Sequence, residues 1–164
     1  MSDLGTGEFR DPRIPLSSLI LAYGPMLPFP LAAIGWAVLP FPWPGVVLWL
    51  AVWWGGAILT FLAGVRRGLS FAGEGANHAE LVLMTWLFLL GAGSIACALA
   101  VHSPLLPLTM LALGYATVAV VDPISARRGR APAHFERLRL PQMSVALVGL
   151  IVLIVEWCMT KVPV

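Results

Sequence analysis

The chain has 164 residues, of which 59% are hydrophobic and 11% charged, with a formal net charge of +2. Average soluble domains carry about 25% charged residues, and a soluble core of this size cannot hide so much apolar surface, which excludes a soluble globular protein. A transmembrane β-barrel is excluded as well, because the apolar runs are continuous rather than alternating.

Five apolar stretches follow one another, at about 15–39, 45–65, 80–101, 105–121 and 141–160. A spanning helix needs about 20 mostly apolar residues, and lipid accepts only segments that satisfy their own backbone. The expectation is an all-α, polytopic integral membrane protein with five transmembrane helices. Residues 15–164 form its single domain, and 1–14 form an N-terminal arm. The arm contains Asp3, Glu8 and Asp11, and the first apolar run is too long for a signal h-region, so the first span is expected to be retained.

Within the first span lies Tyr23-Gly24-Pro25-Met26-Leu27-Pro28-Phe29-Pro30. Each proline removes a backbone donor and pushes on the preceding turn, so a kink or a broken stretch is predicted. Lipid tolerates such a break only where protein covers it or water lines it. Tyr23, Gly24, Pro25, Pro28 and Pro30 therefore mark either a kinked packing helix or the wall of a pathway. Pro40, Pro42 and Pro44 then make an uncharged turn, with Trp36 and Trp43 in an aromatic belt. The second span carries Trp49, Trp53 and Trp54, read mainly as packing groups. Its small residues Gly56, Thr60, Gly64 and Gly68 recur every four positions. That spacing predicts one face on which another helix backbone approaches closely.

The third span opens near Glu80, where an acidic side chain suits a helix N-terminus. His102-Ser103-Pro104 makes a short turn, and the fourth span runs to Asp122-Pro123. The connection from Arg127 to Arg139 follows. In it Phe135, Leu138 and Leu140 are expected to dip into the interface while Arg137 and Arg139 snorkel. The fifth span ends around Glu156-Trp157-Cys158-Met159.

Nine of the ten Lys and Arg residues fall on one side of these spans: Arg10, Arg13, Arg66, Arg67, Arg127, Arg128, Arg130, Arg137 and Arg139. Only Lys161 lies on the other. Short Lys- and Arg-rich loops stay cytoplasmic, which predicts a cytoplasmic N-terminus and a periplasmic C-terminus. The arginine-rich face suits anionic lipid headgroups. The same rule accounts for the arginines without nucleic acid, which is not expected as a partner.

Arg66, Asp122 and Arg139 should share one depth, at the cytoplasmic ends of spans two, four and five. Ionisable groups at that depth are costly unless paired, so the three are ion-pair candidates that fix how the helix ends pack. On the opposite side Cys97, His102, Cys158 and Met159 supply soft ligand types of the kind that bind copper(I). No metal-binding spacing joins them, and no metal is expected; the two cysteines read as ordinary thiols. His78, His102 and His134 all lie in connections, so no haem is expected. No nucleophile elbow, P-loop or dinucleotide fingerprint occurs. No catalytic residue and no cofactor are assigned.

The run Trp54-Gly55-Gly56-Ala57-Ile58-Leu59-Thr60-Phe61-Leu62-Ala63-Gly64-Val65-Arg66-Arg67-Gly68 resembles the signature of a bacterial membrane family, domain of unknown function 3429. That family also includes the animal mitochondrial transmembrane protein 69. Its pattern has an aromatic-Gly-Ala start, then Ile-Leu-Ser-Phe-Leu-Gly-Gly-Val, a basic residue, an aromatic and Gly. Leu138-Arg139-Leu140-Pro141, after the aspartate at Asp122, is similar to a second part of the pattern. Arg67 and Ala63 depart from it. The resemblance implies an inner-membrane protein of about five helices and implies no chemistry. The functional expectation is an accessory, scaffold or assembly partner of a larger complex in the bacterial inner membrane. The alternative is a transporter or channel subunit with a path near the broken first helix.

Overall fold

The computed structural model describes residues 23–72, 78–127 and 135–160. A short 3-10 turn, Gly24–Met26, leads into five helices: α1 (Pro28–Val38), α2 (Trp43–Ala72), α3 (His78–Ala100), α4 (Leu105–Arg127) and α5 (Phe135–Thr160). Each packs on the next in chain order, and α5 packs back on α1, so the helices neighbour one another in a ring. Helices α2 and α4 also meet across its middle. Four helices are long and apolar enough to cross a membrane: Trp43–Gly68, His78–Ala100, Leu105–Ser125 and Arg139–Thr160. The chain thus has the make-up of a multi-pass membrane protein.

The first stretch differs from its expected form. Its described apolar helical part runs only from Gly24 to Val38. Residues 1–22, with the expected arm and the start of the expected first span, lie outside the described residues. The prolines explain where α1 begins. In a continuous helix the Gly24 carbonyl would take the N–H of residue 28, which is Pro28 and has none. It accepts from the Leu27 N–H instead, at 3.3 Å. Pro28 and Pro30, at the first and third positions of α1, also remove two donors that a helix start normally leaves unpaired.

The other helices outrun their apolar stretches. Helix α2 continues past Arg66 and Arg67 to Ala72, since arginine ends a hydrophobic run but favours helix. Pro123 lies inside α4 and Pro141 inside α5, where span ends were expected. Each costs one backbone bond in a helix packed against its neighbours, and the helix continues through it. Helix α5 therefore starts at Phe135, inside the stretch expected to be a connection. Residues 73–77, 128–134 and 161–164 lie outside the description, as do the side chains of Phe135, Arg137 and Leu138.

The core is centred on Phe29, which is fully buried. Its ring meets Tyr115 edge-on, with centroids 5.2 Å apart. A Cβ on Gly55 would come 2.9 Å from the Phe29 ring, and one on Gly149 would come 2.6 Å from the Phe29 carbonyl carbon. Helices α2 and α5 can approach the start of α1 only because these two positions lack side chains. Tyr115 completes the layer by donating its hydroxyl to the Gly55 carbonyl at 3.1 Å.

The four small residues of α2 do not act together. Gly56 lies against α3, where its Cβ would meet the Gly91 carbonyl at 2.8 Å, and Thr60 lies 2.6 Å from a Cβ on Gly91. Gly64 and Gly68 are exposed, and a Cβ on either would meet nothing within 4 Å. The expected four-membered packing face is corrected to Gly56 and Thr60. A four-residue step overshoots a 3.6-residue turn by about 40°. Three such steps rotate the row from the α3 seam to the outside of the bundle.

These contacts predict a contrast. Gly56→Ala and Gly149→Ala should each destabilise the bundle by about 1–3 kcal/mol through overpacking. Gly64→Ala should be neutral or stabilising by up to about 1 kcal/mol. Thermal unfolding in one detergent compares them, and equal harm from Gly64→Ala would contradict the assigned faces.

Candidate functional site

Four charged side chains from four helices meet at one end of the bundle. Arg66 comes from the late part of α2, Glu80 from the first turn of α3, Asp122 from α4 and Arg139 from the start of α5. The antiparallel order of the helices brings these termini to one end. Arg66 Nη1 donates to Glu80 Oε2 at 3.1 Å, and Arg66 Nη2 is paired with Asp122 Oδ1. Arg139 Nε lies 3.1 Å from Asp122 Oδ2, and Arg139 Nη1 donates to Gln142 Oε1 at 3.3 Å. The order is acid, base, acid, base, then a neutral amide.

This alternation permits the burial. The Asp122 side chain is 7% exposed and that of Arg139 10%. A charge withdrawn so far from water persists only when paired and hydrogen-bonded. Asp122 receives a guanidinium on each carboxylate oxygen, and Arg66 spans two carboxylates. The two cations and two anions cancel. The structure thus brings Arg66, Asp122 and Arg139 together. It adds Glu80 and Gln142, which the sequence reading had not placed there. Glu80 was legible only as an acid suited to a helix start, a role its place in the first turn of α3 also fits. Gln142 stands three residues beyond Arg139, a spacing that puts both on one helix face.

The broken first helix is a second candidate. Tyr23, Pro25, Pro28 and Pro30 are half-buried and Gly24 is exposed. Met26 is 1% exposed and Phe29 is fully buried, so protein covers the inward side of the break. The Pro25 carbonyl accepts a hydrogen bond from the indole Nε1 of Trp54 at 2.8 Å. The donor that a 3-10 continuation would offer it is missing at Pro28. Trp54 therefore serves as a hydrogen-bond tie between α2 and the break. Trp53, next to it, is 47% exposed.

The soft-ligand residues do not assemble. Cys97 is half-buried and Cys158 exposed, both as free thiols. Met159 is 79% exposed, and His102 is exposed in its turn. Among the described residues no three His, Cys, Asp or Glu side chains group closely enough to hold a metal ion.

The charge string yields a sharp expectation. Asp122→Asn should cost about 3–5 kcal/mol, the usual penalty for removing one partner of a buried pair. Exchanging Arg66→Asp with Asp122→Arg should not restore stability. It would set the new aspartate beside Glu80 and the new arginine beside Arg139. Thermal unfolding of the single and double variants decides it. Recovery in the exchanged double variant would mean that Arg66 and Asp122 act as an isolated pair.

Comparison with protein-family models, curated proteins and solved structures gives no match to this chain.

Proposed function

We propose that the protein acts through contacts, as an accessory, scaffold or assembly partner of a larger complex in the bacterial inner membrane. The observation that carries this reading is that protein covers the inward side of the helix break. Met26 and Phe29 are enclosed by protein. The sequence feature that best suited a solute pathway is therefore occupied by packing. The short turns between Val38 and Trp43 and between Ala100 and Leu105 suit the same role. Most large side chains outside the core are apolar and exposed, including Leu31, Leu50, Phe61, Val82 and Val148. They offer lipid or neighbouring helices a long lateral surface.

The finer topology belongs to this proposal. Residues 15–39 are read as the first of five spans, with the N-terminus cytoplasmic and the C-terminus periplasmic. The arginine asymmetry supports that orientation. The arginine-bearing end then faces the anionic lipids of the inner leaflet. The likeness of Trp54–Gly68 to the membrane family named above supports the location and adds no reaction.

Gentle solubilisation of the tagged native protein, with mass analysis of what travels with it, tests the reading. Stoichiometric recovery of a larger membrane complex is expected. A clean homo-oligomer would overturn the accessory role. A second measurement addresses the break directly. In lipid nanodiscs, a Met26→Cys thiol should resist a membrane-impermeant maleimide. Rapid labelling there would favour a water-filled path.

A further inference from the structure

Buried polar side chains are concentrated at one end of the bundle. Among the described residues, Asp122, Ser125, Arg139 and Gln142 are buried at the end where the charge string lies. The other buried polar side chain is Ser94, which donates to the Gly91 carbonyl within its own helix. The core is thus polar near the charge string and apolar deeper in, where Phe29, Leu59, Leu111, Tyr115 and Leu150 are fully enclosed. The buried polar side chains thus sit over an apolar interior.

The string crosses this polar end. Helices α2 and α4 face each other across the ring, and Arg66 with Asp122 is their charged contact at this end. Deeper in, the same helices meet through apolar contacts, Leu59 against Gly114 and Leu111 against Gly55. The links also differ in access. Glu80 is 25% exposed, whereas Asp122 is 7% and Arg139 10% exposed. One end of the string touches the surroundings while the other lies within protein.

We propose that Glu80, Arg66, Asp122 and Arg139 form a latch over the polar end of the core. In the closed state, seen here, Arg66 spans Glu80 and Asp122 and holds α2 to α4. In the open state Arg66 leaves Asp122, and water reaches Asp122, Ser125 and Gln142. The Phe29–Tyr115 layer stops it from going further. Glu80 sets how firmly the latch is held, because it anchors the second side of the Arg66 guanidinium. The device goes beyond the accessory reading and holds whichever partner the protein serves.

The test uses the full chain in nanodiscs, where both faces meet the reagent, with Cys97→Ala and Cys158→Ala removing background thiols. A Ser125→Cys thiol should react slowly with a charged maleimide. Adding Arg66→Gln should raise its rate by about tenfold or more, the factor that one hydrogen bond to a charged group is worth. Adding Glu80→Gln instead should raise it less, in the same direction. A Leu150→Cys thiol, in the apolar core, should stay protected in every background. An unchanged Ser125→Cys rate in the folded Arg66→Gln protein overturns the latch. So does a parallel rise at Leu150→Cys, which would indicate general loosening. If Arg66→Gln does not fold, the Glu80→Gln comparison decides, and no rise there overturns the proposal.

Discussion

Two guanidinium groups converge on the Asp122 carboxylate, one on each oxygen. Much of the charged end of the bundle depends on that convergence. A carboxylate so far from water is tolerated only where its partners are already in place. Those partners sit on α2 and α5, so the burial of Asp122 constrains three helices at once. Glu80 brings in α3 through the second face of Arg66. The contact carries orientation as well as attraction. An apolar seam can slide by a turn at modest cost, whereas a two-sided ion pair has one register in which both sides are matched.

The apolar layer does the complementary work. Phe29, Tyr115, Gly55 and Gly149 meet where the first helix begins, and each depends on the others. Without water, helix association in lipid draws on close packing and on hydrogen bonds between helices. The Phe29 ring supplies the first and the Tyr115 hydroxyl the second. The bundle is therefore held at two levels by different physics. Charge complementarity acts at one end and steric fit acts in the middle.

Much of this was legible in the sequence, and the limits have physical causes. The helical class and four of the spans followed from long apolar runs that lipid admits in one form only. Arg66, Asp122 and Arg139 could be grouped because spans of similar length put their ends at similar depth. Depth alone does not say which faces turn inward, so Glu80 and Gln142 could not be added. The same gap misled the reading of α2. Gly56, Thr60, Gly64 and Gly68 look like one row when counted in fours, but the helix turns beneath the count. Helix ends were also misjudged at Pro123 and Pro141, because a local rule about proline yields when neighbouring helices hold both sides. The Phe29 layer was least legible. Nothing in a run of apolar letters distinguishes the glycines at 55 and 149, which meet Phe29, from those that meet nothing.

The prolines that open α1 have a consequence for how a chain can start a helix among apolar neighbours. A helix start ordinarily presents several N–H groups that must find oxygen, and in lipid no solvent supplies it. Pro28 and Pro30 meet this difficulty by subtraction. They delete donors, so the start requires fewer acceptors than an ordinary one and shows no side-chain cap. One carbonyl freed by the same chemistry, that of Pro25, is met by a tryptophan borrowed from the neighbouring helix. A break of this kind is thus a self-contained unit: imide residues on one strand of chain and a single indole on another. It lets a polypeptide begin a helix among apolar neighbours with neither a side-chain cap nor a charged side chain to stabilise the joint.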